Sequence, residues 1–136
     1  MLNTIKKYAL HATRLAKHAI RKVGEKRSSK WPAVEKTFLQ NNPCCRACGG
    51  HDRLNVHHKE PFHLFPEREL DLKNLITLCM GIEKHCHILL GHGGNFKMYN
   101  PHIEKDASMA LECHRRGDVG GVADLAAHAK KNRKAS

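Results

Sequence analysis

The chain has 136 residues, a formal net charge of +11 and only 5% aromatic side chains. That length suits one compact domain with extensions, and so polar a chain gains much from a metal staple. No apolar run approaches the roughly 18–20 residues of a membrane-spanning helix, and the first thirty residues lack the unbroken apolar stretch of a secretory leader, so neither a membrane protein nor a secreted one is expected.

Charge is concentrated on the arms. Residues 1–30 carry nine Lys/Arg against Glu25, a net +8; residues 31–104 are balanced, with eight of each sign; residues 105–136 return to +3. That placement implies a polyanion gripped non-specifically through its phosphates. Residues 2–23 read as an amphipathic helix: Leu2, Ile5, Ala9, Ala12, Ala16, Ala19 and Val23 recur at three- and four-residue steps. Lys6, Lys7, Arg14, Lys17, Arg21 and Lys22 occupy much of the remainder, and with Lys97 they are the candidate nucleic-acid contacts. Residues 1–24 contain no acid, as in a mitochondrial presequence; a cytoplasmic protein of bacterial or phage origin is the expectation, with mitochondrial import the minor alternative.

Gly24 is placed to stop this helix, and residues 25–30 read as a linker. Ser29 is placed to cap a second helix with Pro32 in its first turn, running to about Gln40 and burying Trp31, Val34, Phe38 and Leu39. Asn41-Asn42-Pro43 ends it. Residues 44–50 form a Cys- and Gly-rich knuckle, and Leu54–His58 alternates enough for a short strand. Residues 59–73 form a long loop with Pro61 and Pro66, and Leu75–Leu78 is a second strand. Residues 83–90 read as a short helix closed by Gly91-His92-Gly93-Gly94. Helices follow over 104–115 and 121–131, with Gly117, Gly120 and Gly121 between them; the last residues are expected to fray. The class is α+β. The boundaries are a basic helix and linker over 1–30, a core over 31–100, and a helical extension over 101–136.

Two cysteine pairs, Cys45-x-x-Cys48 and Cys79-x6-Cys86, stand thirty residues apart. A two-residue gap lets one tight turn aim both sulfurs at one ion, and two pairs supply the four thiolates of a structural Zn²⁺. The second pair is stretched, so Cys44 competes with Cys45 and His85 with Cys86. Cys113 has no partner of this kind and reads as a core or surface thiol.

Twelve histidines are more than core packing needs, and His57, His58, His63, His85 and His87 fall in one stretch. His57 and His58, adjacent on a strand, point to opposite faces. His63, between prolines, reads as a loop residue. The loop acids Glu60, Glu67, Glu69 and Asp71 are expected to be solvated, with one of them available to hold a metal or orient His58. In Gly91–Asn100, Lys97 is placed to meet a phosphate, while Phe96 and Tyr99 either stack on a base or simply pack.

The run Trp31…Phe38-Leu39…Asn42-Pro43…Cys45-x-x-Cys48…Val56-His57-His58…Pro61…Asn74-Leu75-Ile76-Thr77-Leu78-Cys79…Cys86-His87 resembles the HNH endonuclease family. The resemblance covers a little under half of the chain. It implies a ββα-metal (His-Me finger) core with the zinc knuckle, flanked by the N- and C-terminal helices. It implies that His57 is the first ligand of a divalent ion such as Mg²⁺ or Mn²⁺, His58 the general base, Asn74 the residue that holds the base in orientation, and His87 the second ligand. His92 is the candidate for any third ligand. It further implies phosphodiester hydrolysis leaving a 5′-phosphate and a 3′-hydroxyl. A zinc-stapled nucleic-acid-binding module without catalysis and an RNase or toxin-like nuclease are the alternatives. Sequence preference and oligomeric state, monomer or homodimer, stay open.

Overall fold

A computed structural model describes residues 26–136 of the chain. The helix expected over residues 2–23, with Lys6, Lys7, Arg14, Lys17, Arg21 and Lys22, lies outside the described residues.

The first element is α1 (Trp31–Asn41), with Pro32 in its opening turn, where a missing N–H is no loss. Ser29 does not cap it. The N-cap is Lys30, which makes no side-chain cap bond. Ser28 acts instead, its carbonyl accepting from the Trp31 N–H at 3.1 Å and its Oγ from the Lys30 N–H at 3.2 Å. Trp31, Val34, Phe38 and Leu39 are half-buried rather than buried, because α1 lies along one side of the hairpin below and, among the described residues, has no second layer over it.

That hairpin is β1 (Leu54–His58) paired antiparallel with β2 (Leu75–Cys79), in the register Leu54↔Cys79 through His58↔Leu75. All five residues of β2 are buried, which two strands alone cannot achieve. The knuckle closes its outer edge: the Arg46 N–H donates to the Thr77 carbonyl at 2.9 Å and Thr77 Oγ1 to the Asn42 carbonyl at 2.9 Å. The long loop is organised by two 3₁₀ turns, Pro66–Arg68 and Leu72–Asn74.

The expected helix over 83–90 differs. Glu83 and Lys84 lie in a turn, His85 has φ +44°, and the helical segment is a single π turn over His87–Gly91. A short strand β3 (Met98–Tyr99) leads to α2 (Ile103–Arg116) and α3 (Val119–Asn132), which pack together as a helical hairpin. α3 starts two residues earlier than its apolar pattern suggested, because Asp118 accepts from the Gly121 N–H at 2.8 Å and draws Gly120 and Gly121 into the first turn. The core is continuous from knuckle to C-terminus, joining Cys45, Leu78, Leu90, Ile103, Ala110, Leu125 and Ala129. Within it Asn100 Nδ2 donates to Asp106 Oδ2 at 2.7 Å, both residues being buried. No helix among the described residues is long and apolar enough to cross a membrane.

The C-terminal residues do not fray. Lys134–Ala135 form β4, antiparallel to β3, and Arg133 Nη1 donates to the Gly93 carbonyl at 2.7 Å. Gly93 has φ +57°, and a Cβ there would stand 2.8 Å from the Ala129 carbonyl and 3.0 Å from Arg133. Gly93→Ala therefore combines left-handed strain with a backbone clash and is expected to destabilise the fold by about 2–3 kcal/mol, read as a lower urea midpoint; an unchanged midpoint would contradict the packing described.

Candidate active site and its metal centres

The knuckle brings Cys45, Cys48, Cys79 and Cys86 together, with all four sulfurs within 4.8 Å of one another. Cys48 Sγ and Cys79 Sγ are 3.7 Å apart, against the ~3.8 Å edge of a tetrahedron with Zn–S bonds of about 2.3 Å. Local backbone bonds aim them: the Cys45 N–H donates to the Gly50 carbonyl and the Gly49 N–H to the Cys45 carbonyl, both at 2.8 Å. In the absence of a cation the sulfurs must share protons. A hydrogen bond from the Cys86 thiol draws the Cys45 pKa down to about 4, while the same bond and burial push Cys86 up. Burial raises Cys48 to about 11. Four such crowded thiols fit a cation that takes them all as thiolates, so the group can hold zinc. Cys44 and His85, the rival ligands, are exposed and outside it. Cys113 is buried in the core.

A second group forms where β1 meets the π turn. His57, His87 and His92 offer ring nitrogens that lie within 4.8 Å of one another. His57 Nδ1 and His87 Nε2 are 3.1 Å apart, and His92 Nε2 and His87 Nε2 are 3.2 Å apart. Three nitrogens about 2.1 Å from one ion stand ~3.0–3.4 Å apart. The π turn is what makes this possible. Positions five residues apart on an α-helix are rotated by about 140°, whereas the wider turn returns His92 to the face of His87, its N–H donating to the His87 carbonyl at 3.1 Å. Gly91 lets the strand approach, since a Cβ there would meet His57 Cε1 at 3.1 Å.

The protonation of these rings follows from their surroundings. His92 Nδ1–H donates to the Met98 carbonyl at 2.7 Å, which leaves its Nε2 lone pair facing His87. Burial, then repulsion from His87 and His92, holds His57 well below the ordinary histidine range; burial, then His92, lowers His87 to about 4. Burial also lowers His92, against the bond to Met98. The rings are thus neutral at neutral pH, the form that ligates metal. Without a cation, one ring hydrogen has to serve two short N···N contacts, and the buried His57 Nε2 and His87 Nδ1 have no hydrogen-bond partner among the described residues. The donor set fits a divalent cation that accepts imidazole nitrogen. The exposed ring of Phe96 lies beside it, 4.9 Å from His92, while Tyr99 is buried and Lys97 is exposed.

His58 is not part of this group. As strand alternation requires, it faces the other way, its ring 4.5 Å from Trp31 and its Nε2–H donating to the Glu69 carbonyl at 2.9 Å. Nδ1 is therefore the basic atom. Burial lowers its pKa, opposed by the bond to Glu69. Asn74, fully buried, ties the loop at both ends: its Oδ1 accepts from the Glu60 N–H at 2.9 Å, and its Nδ2 donates to the Glu60 and Arg68 carbonyls at 3.0 and 3.2 Å.

The loop acids are not uniformly solvated. Glu60 and Asp71 both pair with Arg68. Glu69 is buried, its carboxylate held by the Ser28 N–H at 3.0 Å and by Arg27 at 3.5 Å. Residues 27 and 28 are therefore anchored, not a free linker. That contact joins segments 41 residues apart and left no local signal in the sequence. His63 is exposed.

No curated protein and no solved structure matches this chain. The family model described as HNH endonuclease matches residues 45–93, the segment that holds both ligand groups, His58 and Asn74. Residues 45–93 are thus similar to the HNH endonucleases, a nuclease family.

Proposed function

We propose that the chain is a metal-dependent endonuclease that hydrolyses phosphodiester bonds in DNA. The observation that carries this reading is the convergence of His57 Nδ1, His87 Nε2 and His92 Nε2 within the segment matched to the HNH family. In this reading those three residues hold the catalytic cation, and Cys45, Cys48, Cys79 and Cys86 hold a structural Zn²⁺. Residues 31–100 supply the chemistry, residues 1–30 and Lys97 grip the phosphate backbone, and residues 101–136 buttress the π turn.

The cation, when bound, supplies positive charge to the phosphate oxygens and to the leaving oxygen. The remaining work falls to side chains of the chain. His58, neutral at neutral pH, takes a proton from the attacking water at Nδ1. Its Nε2–H stays on the Glu69 carbonyl, which orients the ring and stabilises the imidazolium that forms. Trp31 covers one face of that ring and limits its rotation. Asn74 keeps the loop carrying Glu69 closed on β1. The donor set also bears on the choice of ion. Imidazole nitrogen suits first-row transition ions, whereas Mg²⁺ favours oxygen ligands and retained waters, and no carboxylate among the described residues joins the group.

Nicking of supercoiled plasmid tests this reading. His58→Ala is expected to lower the rate by ~10²–10⁴-fold while the fold and zinc content are kept; nicking at the wild-type rate would remove the base assignment. His92→Ala should weaken binding of the second ion, seen as loss of the Co²⁺ absorption bands of a cobalt-loaded protein. Mn²⁺ or Ni²⁺ should support cutting at lower concentration than Mg²⁺, and a site saturated equally well by Mg²⁺ would contradict the three-imidazole sphere. Cys86→Ser should abolish stoichiometric zinc and, through the adjoining His87, nicking as well; full activity without zinc would show that the knot does not brace the site. Matched DNA and RNA substrates separate a DNase from an RNase.

A further inference from the structure

Glu69 presents a burial problem. Its side chain is 5% exposed, and taking a carboxylate out of water is costly unless it is paired and hydrogen-bonded. Its partners come from outside the segment matched to the HNH family: the Ser28 N–H at 3.0 Å and the Arg27 guanidinium at 3.5 Å. Arg27 is itself fixed, lying 5.2 Å from the centre of the Trp31 ring and 5.0 Å from that of Phe62. Trp31 in turn stacks on His58. The same Glu69 whose carboxylate is held by residues 27 and 28 uses its backbone carbonyl to receive His58 Nε2–H. On the other side Asn74 Nδ2 grips the adjacent Arg68 carbonyl.

We propose that Arg27, Ser28 and Trp31 form a latch that closes on the buried Glu69 carboxylate and fixes the orientation of His58, which makes Glu69 a positioning residue. The inference rests on the reading of His58 as general base. Its physical basis is that carboxylate and carbonyl belong to one residue. Freeing the side chain leaves this stretch held by the Asn74 bond to the Arg68 carbonyl and by the Glu69 N–H bond to the Pro66 carbonyl at 3.2 Å, both on the N-terminal side of the Glu69 carbonyl, which can then turn away from the imidazole. A misplacement of about 1 Å at a reacting group is enough to cost ~10²-fold in rate. The latch also joins this residue to the end of the basic stretch 1–30, so the base is oriented by residues of the arm that carries the charge.

The test is nicking kinetics on supercoiled plasmid in the full chain, with Mn²⁺ as cofactor. Glu69→Ala is expected to lower kcat by ~10–100-fold with KM unchanged and with the Co²⁺ bands of the three-histidine site intact. Glu69→Gln, which keeps an acceptor for the Ser28 N–H, should recover most of that loss. Arg27→Ala, at a half-exposed position, should lower kcat several-fold, again at constant KM. His58→Ala is measured alongside. Wild-type nicking by His58→Ala would sink the base assignment itself, whereas an inactive His58→Ala beside a fully active Glu69→Ala would sink only the latch. If Glu69→Ala fails to fold, Arg27→Ala decides: an unchanged kcat, or an effect confined to KM, overturns the proposal.

Discussion

Four sulfur atoms confined within 4.8 Å of one another set the terms for the rest of the molecule. Anionic sulfurs at that spacing repel, and the arrangement fits a cation that takes all four as thiolates. The consequence is mechanical. Cys45 and Cys48 precede β1, Cys79 ends β2, and Cys86 leads directly into the π turn. One ion held by all four would therefore tie together the three pieces that supply the site, in a chain whose modest core could not fix them as well alone.

Much of this was readable from residue order. The cysteine pairs, both strands of the hairpin and the place of Asn74 ahead of β2 follow from local pattern, because period-two alternation and tight-turn spacing are properties of neighbours in sequence. The π turn was not readable. A helix expected over 83–90 presumes 3.6 residues per turn, and on that period His92 lies away from His87. The turn widens because the rings, Gly91 and the Met98 carbonyl agree on one geometry in space, a tertiary effect with no period of its own. Burial of Glu69 was hidden for the same reason. A glutamate in an acidic loop reads as solvated until its partners, 41 and 42 positions earlier, are folded against it. The pairing of Lys134–Ala135 with β3 is likewise a contact between distant segments, where the local expectation for a chain end is fraying.

In the proposed function the two histidines of β1 divide labour by facing opposite ways. His57 looks towards the π turn, where two more imidazoles and close burial suppress its protonation. His58 looks towards the loop, where a carbonyl and an indole set its tautomer and angle. Neither environment would serve the other role. A base enclosed among ligands would have no face for water, and a ligand whose Nε2–H is committed to Glu69 would be turned away from the convergent set.

That division makes strand register the critical quantity. Side chains alternate with a period of two, so a slip of one residue would send His57 to the loop and His58 to the imidazole group, and neither site would survive. A two-stranded hairpin is marginal by itself and cannot forbid such a slip. Both ends are therefore pinned. At one end Leu54 faces Cys79, whose sulfur belongs to the metal knot. At the other the Lys59 N–H donates to the Asn74 carbonyl at 2.8 Å, while the Asn74 amide binds both strands of the loop. The knot alone would leave the His58 end free to fray, and Asn74 alone would leave the register to a loop of fifteen residues. Only the two together fix which of the consecutive imidazoles faces the π turn and which faces the loop.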